Sequence, residues 1–220
     1  MPVADDALVE LADPASPAAE AYRALRASVQ FASVDRSLRS LLVTSAVPED
    51  DKSLVAANLA VAFARAGSRV VLVDCDVRQP SLHDIFGADN SRGLSAALLG
   101  DEQAPPLLET GVANLRLLPA GERPSHPADF LGSQRMQSLL ERLLASADLV
   151  VCDGPPVLAA VDAALLARRV DGVVLVIRSG RTKRDQAAKA RALLAKAQAN
   201  LLGAVLTNAK LEKGVQGYFA

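Results

Sequence analysis

The sequence predicts an α/β domain built around a mainly parallel, doubly wound sheet. Three observations carry this expectation. Apolar runs too continuous for half-exposed strands recur along the chain, among them RVVLVDCD (69–76), DLVVCDGPP (148–156) and DGVVLVIRSG (171–180). Segments of helical periodicity lie between them. The alternation persists to the last third of the chain, which calls for crossover connections rather than hairpins.

Residues 1–17 contain Pro2, Pro14 and Pro17 and no clear period, and read as a flexible N-terminal arm. Residues 18–220 read as one domain. A helix is expected from Ala18 to about Ala32, with Tyr22, Leu25, Val29 and Phe31 as its apolar stripe, Ser16 as its cap and Pro17 in its first turn. Strands are expected near 40–45, 70–75, 115–118, 148–153, 172–177 and 203–207. The segment LVAANLAVAFARAG between the first two is a helix with Gly67 as its stop. MQSLLERLLASA, DAALLARRV and RDQAAKARALLAKAQ supply later helices. Residues 78–114, rich in Pro, Gly, Asp and Asn, read as loop and short helices beside the site.

Bulk properties exclude several functions. Half of the 220 residues are hydrophobic, enough for a large core. Lys and Arg number 24 against 25 Asp and Glu, and Trp is absent, so neither the charge nor the aromatic content suits a nucleic-acid partner. No apolar run approaches the ~20 residues of a membrane span. The N-terminus is acidic and unlike a signal peptide. Cys75 and Cys152 lie in strand-like runs and read as core thiols of a reducing, cytoplasmic compartment.

In open α/β sheets ligands bind beyond the carboxyl ends of the strands. Val47, Pro48, Glu49, Asp50, Asp51, Lys52, Ser53 and Leu54 follow the first apolar run; Asp74 and Asp76 end the second; Asp153 ends the fourth; Asn208 follows the last. This is the inventory of a Mg-nucleotide site. A lysine neutralises phosphate, a serine hydroxyl ligates Mg²⁺, and aspartates hold the metal or its water and accept protons. Each piece alone is weak, because a Lys-Ser pair starts many helices and an Asp at a strand end is commonly a turn residue. Their conjunction in chain order is the signal.

From about Glu20 onward the chain resembles the bacterial tyrosine kinases of exopolysaccharide and capsule synthesis, a deviant Walker A branch of the P-loop ATPases. Glu20-Ala21-Tyr22-Arg23-Ala24-Leu25-Arg26 is similar to their E-x-x-R-x-x-R oligomerisation motif. Asp74-Cys75-Asp76-Val77-Arg78-Gln79-Pro80-Ser81-Leu82 resembles their D-x-D-x-R-x-P-S-L segment, and Asp153-Gly154-Pro155-Pro156-Val157-Leu158 their Walker B strand and its sequel. The partitioning ATPases related to them usually carry an extra lysine early in the loop and Gln after the second Asp; Ala46 and Arg78 stand here. The resemblance implies ATP or ADP with Mg²⁺ as ligands. It implies Lys52, Asp74, Asp76 and Asp153 as catalytic groups, and Ser53, Asp74 and Asp153 as metal-organising ones. It further implies self-association into a ring through Glu20, Arg23 and Arg26, and Tyr218 as a phosphoacceptor. The expected partner is a membrane-spanning polysaccharide co-polymerase adaptor, separate or fused, which would hold the domain at the inner face of the membrane.

Two departures from the pattern bear on activity. The family loop, roughly P-G-E-G-K-S, here reads Pro48-Glu49-Asp50-Asp51-Lys52-Ser53, with both glycines replaced. Three carboxylates then stand near the expected phosphates, and one unscreened contact at 4 Å costs on the order of 4 kcal/mol at an effective dielectric near 20. The tail also keeps one tyrosine, Tyr218, where the family has several. An ATP-dependent tyrosine kinase or weak ATPase regulating polysaccharide assembly is therefore expected, with a nucleotide-impaired pseudokinase scaffold as the alternative and a partitioning-type ATPase as a third reading.

Overall fold

The computed structural model describes residues 8–32, 37–48, 50–100 and 104–209. In chain order the elements are α1 (Val9–Ala12), α2 (Pro17–Phe31), β1 (Ser40–Ser45), α3 (Lys52–Arg65), β2 (Val70–Asp74), α4 (Leu82–Phe86), α5 (Leu94–Leu99), β3 (Leu108–Glu109) and β4 (Leu115–Leu118). There follow α6 (Pro127–Leu131), α7 (Gln134–Ser146), β5 (Leu149–Asp153), α8 (Asp162–Ala167), β6 (Gly172–Arg178), α9 (Arg184–Lys196) and β7 (Leu201–Thr207). The strands form one sheet in the order β3-β4-β2-β5-β1-β6-β7. All neighbours pair in parallel except β3 with β4.

The sheet is covered on both faces, as the continuous apolar strands require. Val71 and Val73 of β2 pack with Leu140 of α7, Leu166 of α8 and Leu194 of α9. The intervening Val70 and Leu72 face the other way, with Leu59 and Phe63 of α3 and Val29 of α2. This period-2 division of one strand between two cores is what makes the fold doubly wound. The central strands β1, β2 and β5 are buried throughout. So is α3 from Val55 to Ala64, and truncating a fully buried side chain there, such as Leu59→Ala, would cost about 2–5 kcal/mol.

Helix α2 starts as its sequence dictates. Ser16 Oγ accepts from the Ala19 N–H at 3.1 Å, and Pro17 occupies the first turn. Two expectations need correction. The start of the described arm, Leu8 to Glu10, is packed, while residues 11–15 are exposed: Leu8 is fully buried, Val9 N donates to Asn58 Oδ1 at 2.9 Å, and buried Glu10 pairs with Arg23 at 3.3 Å. One apolar side chain, one backbone hydrogen bond and the pairing of Glu10 with Arg23 and Arg65 dock this short segment, too little to leave a period. The 78–114 stretch contains α4 and α5 as expected, but also β3, whose two residues are too few to show alternation.

Candidate active site

The site is built where β1, β2 and β5 end side by side. Register pairs Asp74 directly with Asp153, so two carboxylates leave adjacent strands at the same level. The turn after β1 then brings in the N-terminus of α3. Lys52 Nζ lies 3.0 Å from Asp76 Oδ2, 3.3 Å from Asp153 Oδ1 and 3.2 Å from Ser53 Oγ. Ser53 Oγ in turn donates to Asp153 Oδ2. Asp74 and Asp153 are fully buried, and Asp76 and Lys52 nearly so.

Burial of this density sets the electrostatics. Desolvation pushes the Asp74 carboxyl up to about 8, with the neighbouring Asp153 charge adding to the rise. Asp153 is raised as well, chiefly by burial, against the pull of Lys52 and the Ser53 hydroxyl. Burial also opposes the charge on Lys52, but Asp153, Asp76 and Asp74 outweigh it and hold the ammonium above the ordinary lysine range. The Lys52 ammonium is thus held among carboxylates, two of which, Asp74 and Asp153, burial pushes toward the neutral form.

The carboxylates have different duties. Asp74 Oδ2 accepts the Ser81 and Leu82 N–H groups at 3.0 and 3.1 Å, and its Oδ1 accepts the Asp76 N–H at 3.2 Å. It shapes the loop that carries Asp76, which together with Asp153 touches Lys52. Arg78 Nε and Nη2 form a fork on the buried Asp162 at 2.7 and 3.2 Å. That ion pair ties the loop after β2 to the start of α8.

The glycine-free loop is held by residues that the sequence reading did not single out. Asp51 sits at φ 60°, ψ 20°, in the left-handed region, and makes no side-chain cap on α3. Its carboxylate is taken instead by Arg178 Nη1 at 2.8 Å and Thr207 Oγ1 at 3.1 Å. Buried Asp50 accepts from Thr182 Oγ1 at 2.6 Å and from Val47 N at 3.4 Å. The expectation of bare carboxylates facing phosphate is therefore corrected for Asp50 and Asp51: one is neutralised by Arg178, and both are hydrogen-bonded. Glu49 lies outside the described residues. Arg178 and Thr182 follow β6 at the same carboxyl edge, so the strand-end rule could have found them. Their basic and hydroxyl chemistry is not what a Mg²⁺ site leads one to look for.

Of the other expected contacts, Leu54 turns its side chain toward the core, leaving only its backbone for a ligand. Asn208, at φ 53°, follows β7, and its Nδ2 donates to Ser179 O at 3.4 Å. It touches none of the Lys52 group. Elsewhere, a cavity of about 650 Å³ lies among Arg92, Ser95, Glu122, His126 and Arg135, and none of the site residues lines it.

Comparison with known proteins decides the family. The ParA model, described as a NUBPL iron-transfer P-loop NTPase, matches residues 39–212. Tyrosine-protein kinase YwqD of Bacillus subtilis is 41% identical over 214 residues, 96% of this chain and 90% of that protein. The chain belongs to the bacterial tyrosine kinases. Putative tyrosine-protein kinase CapB of Staphylococcus aureus is 34% identical, over 94% of this chain and 91% of its own length. The kinase domain of Escherichia coli tyrosine kinase ETK superposes with a TM-score of 0.86 at 32% identity, covering 93% of this chain and 82% of that one. Against the tyrosine-protein kinase etk of strain K12 the match spans 88% of this chain but only 27% of that protein.

The donor set of this domain fits Mg²⁺ and phosphate. Ser53 Oγ and the Asp153 carboxylate are hard oxygen donors in contact with each other. The first N–H groups of α3 are left uncapped by Asp51, as an anion at a helix N-terminus requires. The scaffold alternative is not favoured, because the relatives are named as tyrosine-protein kinases; in the loop, Asp51 is paired with Arg178 and Asp50 is hydrogen-bonded.

Glu20, Arg23 and Arg26, expected to bridge subunits, have partners within the chain. Arg23 Nε donates to Glu20 at 2.8 Å, and its Nη groups reach Glu10 and Pro14 O. Arg26 Nη1 reaches Gln30 at 3.4 Å. Tyr22 packs against the core, and its hydroxyl is pushed up to about 12 by burial and then by Asp51. Tyr218 lies outside the described residues. Among those described, no helix is long and apolar enough to cross a membrane.

Proposed function

We propose that this domain transfers the γ-phosphoryl group of Mg-ATP to tyrosine hydroxyls, Tyr218 of a neighbouring copy among them, in the control of exopolysaccharide or capsule assembly. The carrying observation is the buried convergence of Lys52, Ser53, Asp76 and Asp153 at the N-terminus of α3. Ser53 and Asp153 would hold Mg²⁺, which when bound supplies charge neutralisation across the phosphates. Lys52 exchanges its carboxylate partners for phosphoryl oxygens, and the α3 N–H groups bind the same anion. Asp76, set free by that exchange, accepts the tyrosine Oη proton. The bond between the bridging oxygen and the γ-phosphorus breaks as the Oη–P bond forms, and ADP leaves.

The family relationship supports a membrane-spanning co-polymerase adaptor as partner, a location at the cytoplasmic face of the membrane, and ring assembly through Glu20, Arg23 and Arg26. For assembly, Arg23 must leave Glu10 or share itself between subunits.

Incubation of the purified chain with Mg-ATP and immunodetection of phosphotyrosine tests the proposal. Signal is expected in the unaltered protein, reduced in Tyr218→Phe and absent in Asp153→Asn. Failure of Asp153→Asn to alter the signal would sink the assignment. Light scattering on Glu20→Ala, Arg23→Ala tests assembly separately, a lower mass being expected.

A further inference from the structure

Residues 46–53 contain no glycine, yet Asp51 holds the left-handed conformation that glycine reaches freely and that an aspartate visits only with local support. That support comes from the flank of the sheet next to β1, where β6 and β7 lie. Arg178 ends β6, Thr182 lies in the turn before α9, and Thr207 ends β7. These positions are more than 120 residues away from the loop in sequence. Arg178 Nη1 and Thr207 Oγ1 take one oxygen each of Asp51. Thr182 Oγ1 donates to Asp50 while accepting the Arg178 N–H at 3.1 Å, which links the two arms.

An aspartate beginning a helix ordinarily folds its carboxylate back onto the N–H of the second or third helical residue. That would plug the anion-binding end of α3 with a negative charge. Here Asp51 forms no such cap, because its carboxylate is drawn off to Arg178 and Thr207. We infer that Arg178, Thr182 and Thr207 form a latch that replaces the missing glycines, with Arg178 a positioning residue for nucleotide: it neutralises Asp51 and keeps the α3 N-terminus open to phosphate. The latch holds the loop in shape through side chains from β6 and β7 where glycine would do so through backbone freedom. Arg178 acts through Asp51, so its importance depends on that residue being acidic. The inference rests on the proposed nucleotide site.

Titration calorimetry with Mg-ADP tests it on the full chain. Arg178→Ala is expected to weaken binding by about tenfold or more, since it returns an unpaired carboxylate to the helix end. Arg178→Lys keeps the charge and is expected to stay within about threefold of the unaltered protein. In an Asp51→Gly background, where φ 60° is free and no carboxylate needs turning, Arg178→Ala is expected to change affinity by less than about twofold. Thr182→Val, which releases Asp50, is expected to weaken binding and serves if Arg178→Ala does not fold. Equal affinity of Arg178→Ala and the unaltered protein would overturn the latch. So would an undiminished loss in the Asp51→Gly background, which would put Arg178 on the nucleotide itself. A folded, unaltered protein that takes up no Mg-ADP would overturn the nucleotide site, a result distinct from either.

Discussion

Lys52→Met keeps the length of the side chain and deletes its charge in the midst of three buried carboxylates. The ammonium stands 3.0 Å from Asp76 and 3.3 Å from Asp153. At an effective dielectric near 20 each contact is worth about 5 kcal/mol before desolvation. Lys52 is almost fully buried, so solvent screens little of this, but losing the lysine also removes its own desolvation cost. A net destabilisation of about 3–5 kcal/mol is expected at pH 8, the range for breaking a buried pair. The cost should depend on pH. Without Lys52 a carboxyl of the cluster has its folded-state pKa raised further above the unfolded value. Its contribution is then fully present below the unfolded pKa and lost as pH rises through the folded one. One extra retained proton lessens the loss by about 1.4 kcal/mol per pH unit, so the deficit at pH 6 should be about 2–3 kcal/mol smaller than at pH 8. Urea unfolding of the nucleotide-free protein at both pH values, at constant ionic strength, measures this. A deficit below about 1 kcal/mol, or one equal at both pH values, would refute the picture of a captive cation.

Arg78→Ala should cost about 2–3 kcal/mol, because Asp162 is fully buried while Arg78 is partly screened by solvent; a thermal melt of the variant superimposing on that of the unaltered protein would contradict this. The unaltered, nucleotide-free protein should itself lose stability from pH 6 to pH 9. Asp74, raised to about 8, adds stability below its unfolded pKa that disappears as pH climbs through 8, and a flat or rising urea midpoint across that window would show that it is already ionised. Gly93→Ala should cost about 1–3 kcal/mol in chemical denaturation. The new Cβ would meet Pro119 O at 2.0 Å and Gly121 N at 2.7 Å, both backbone atoms that cannot swing aside, and a neutral result would mean that the crossing there is loose.

The sequence by itself determined the layers of the fold and which residues gather at the strand ends. Continuous apolar strands such as 70–74 and 149–153 can be satisfied only between two helical layers, so the six parallel strands and their approximate bounds were legible, while the two-residue antiparallel β3 was not. Lys52, Ser53, Asp74, Asp76 and Asp153 were legible because each lies within or next to a strand-end motif, a local feature of the chain. Tertiary structure alone decided how these groups divide their work. Asp74 spends its oxygens on Ser81, Leu82 and Asp76, and Asp76 meets Lys52, because the loop after β2 folds back over the strand ends. Packing likewise turned part of the arm into a docked segment through Leu8 and Glu10. The acidic loop shows the limit most clearly. Read locally, Asp50 and Asp51 are repulsive charges beside a phosphate site. In the fold their partners arrive from β6 and β7, and a charge's effect is set by its nearest neighbours in space, which only the sheet order β5-β1-β6-β7 brings within 3 Å or so of the loop.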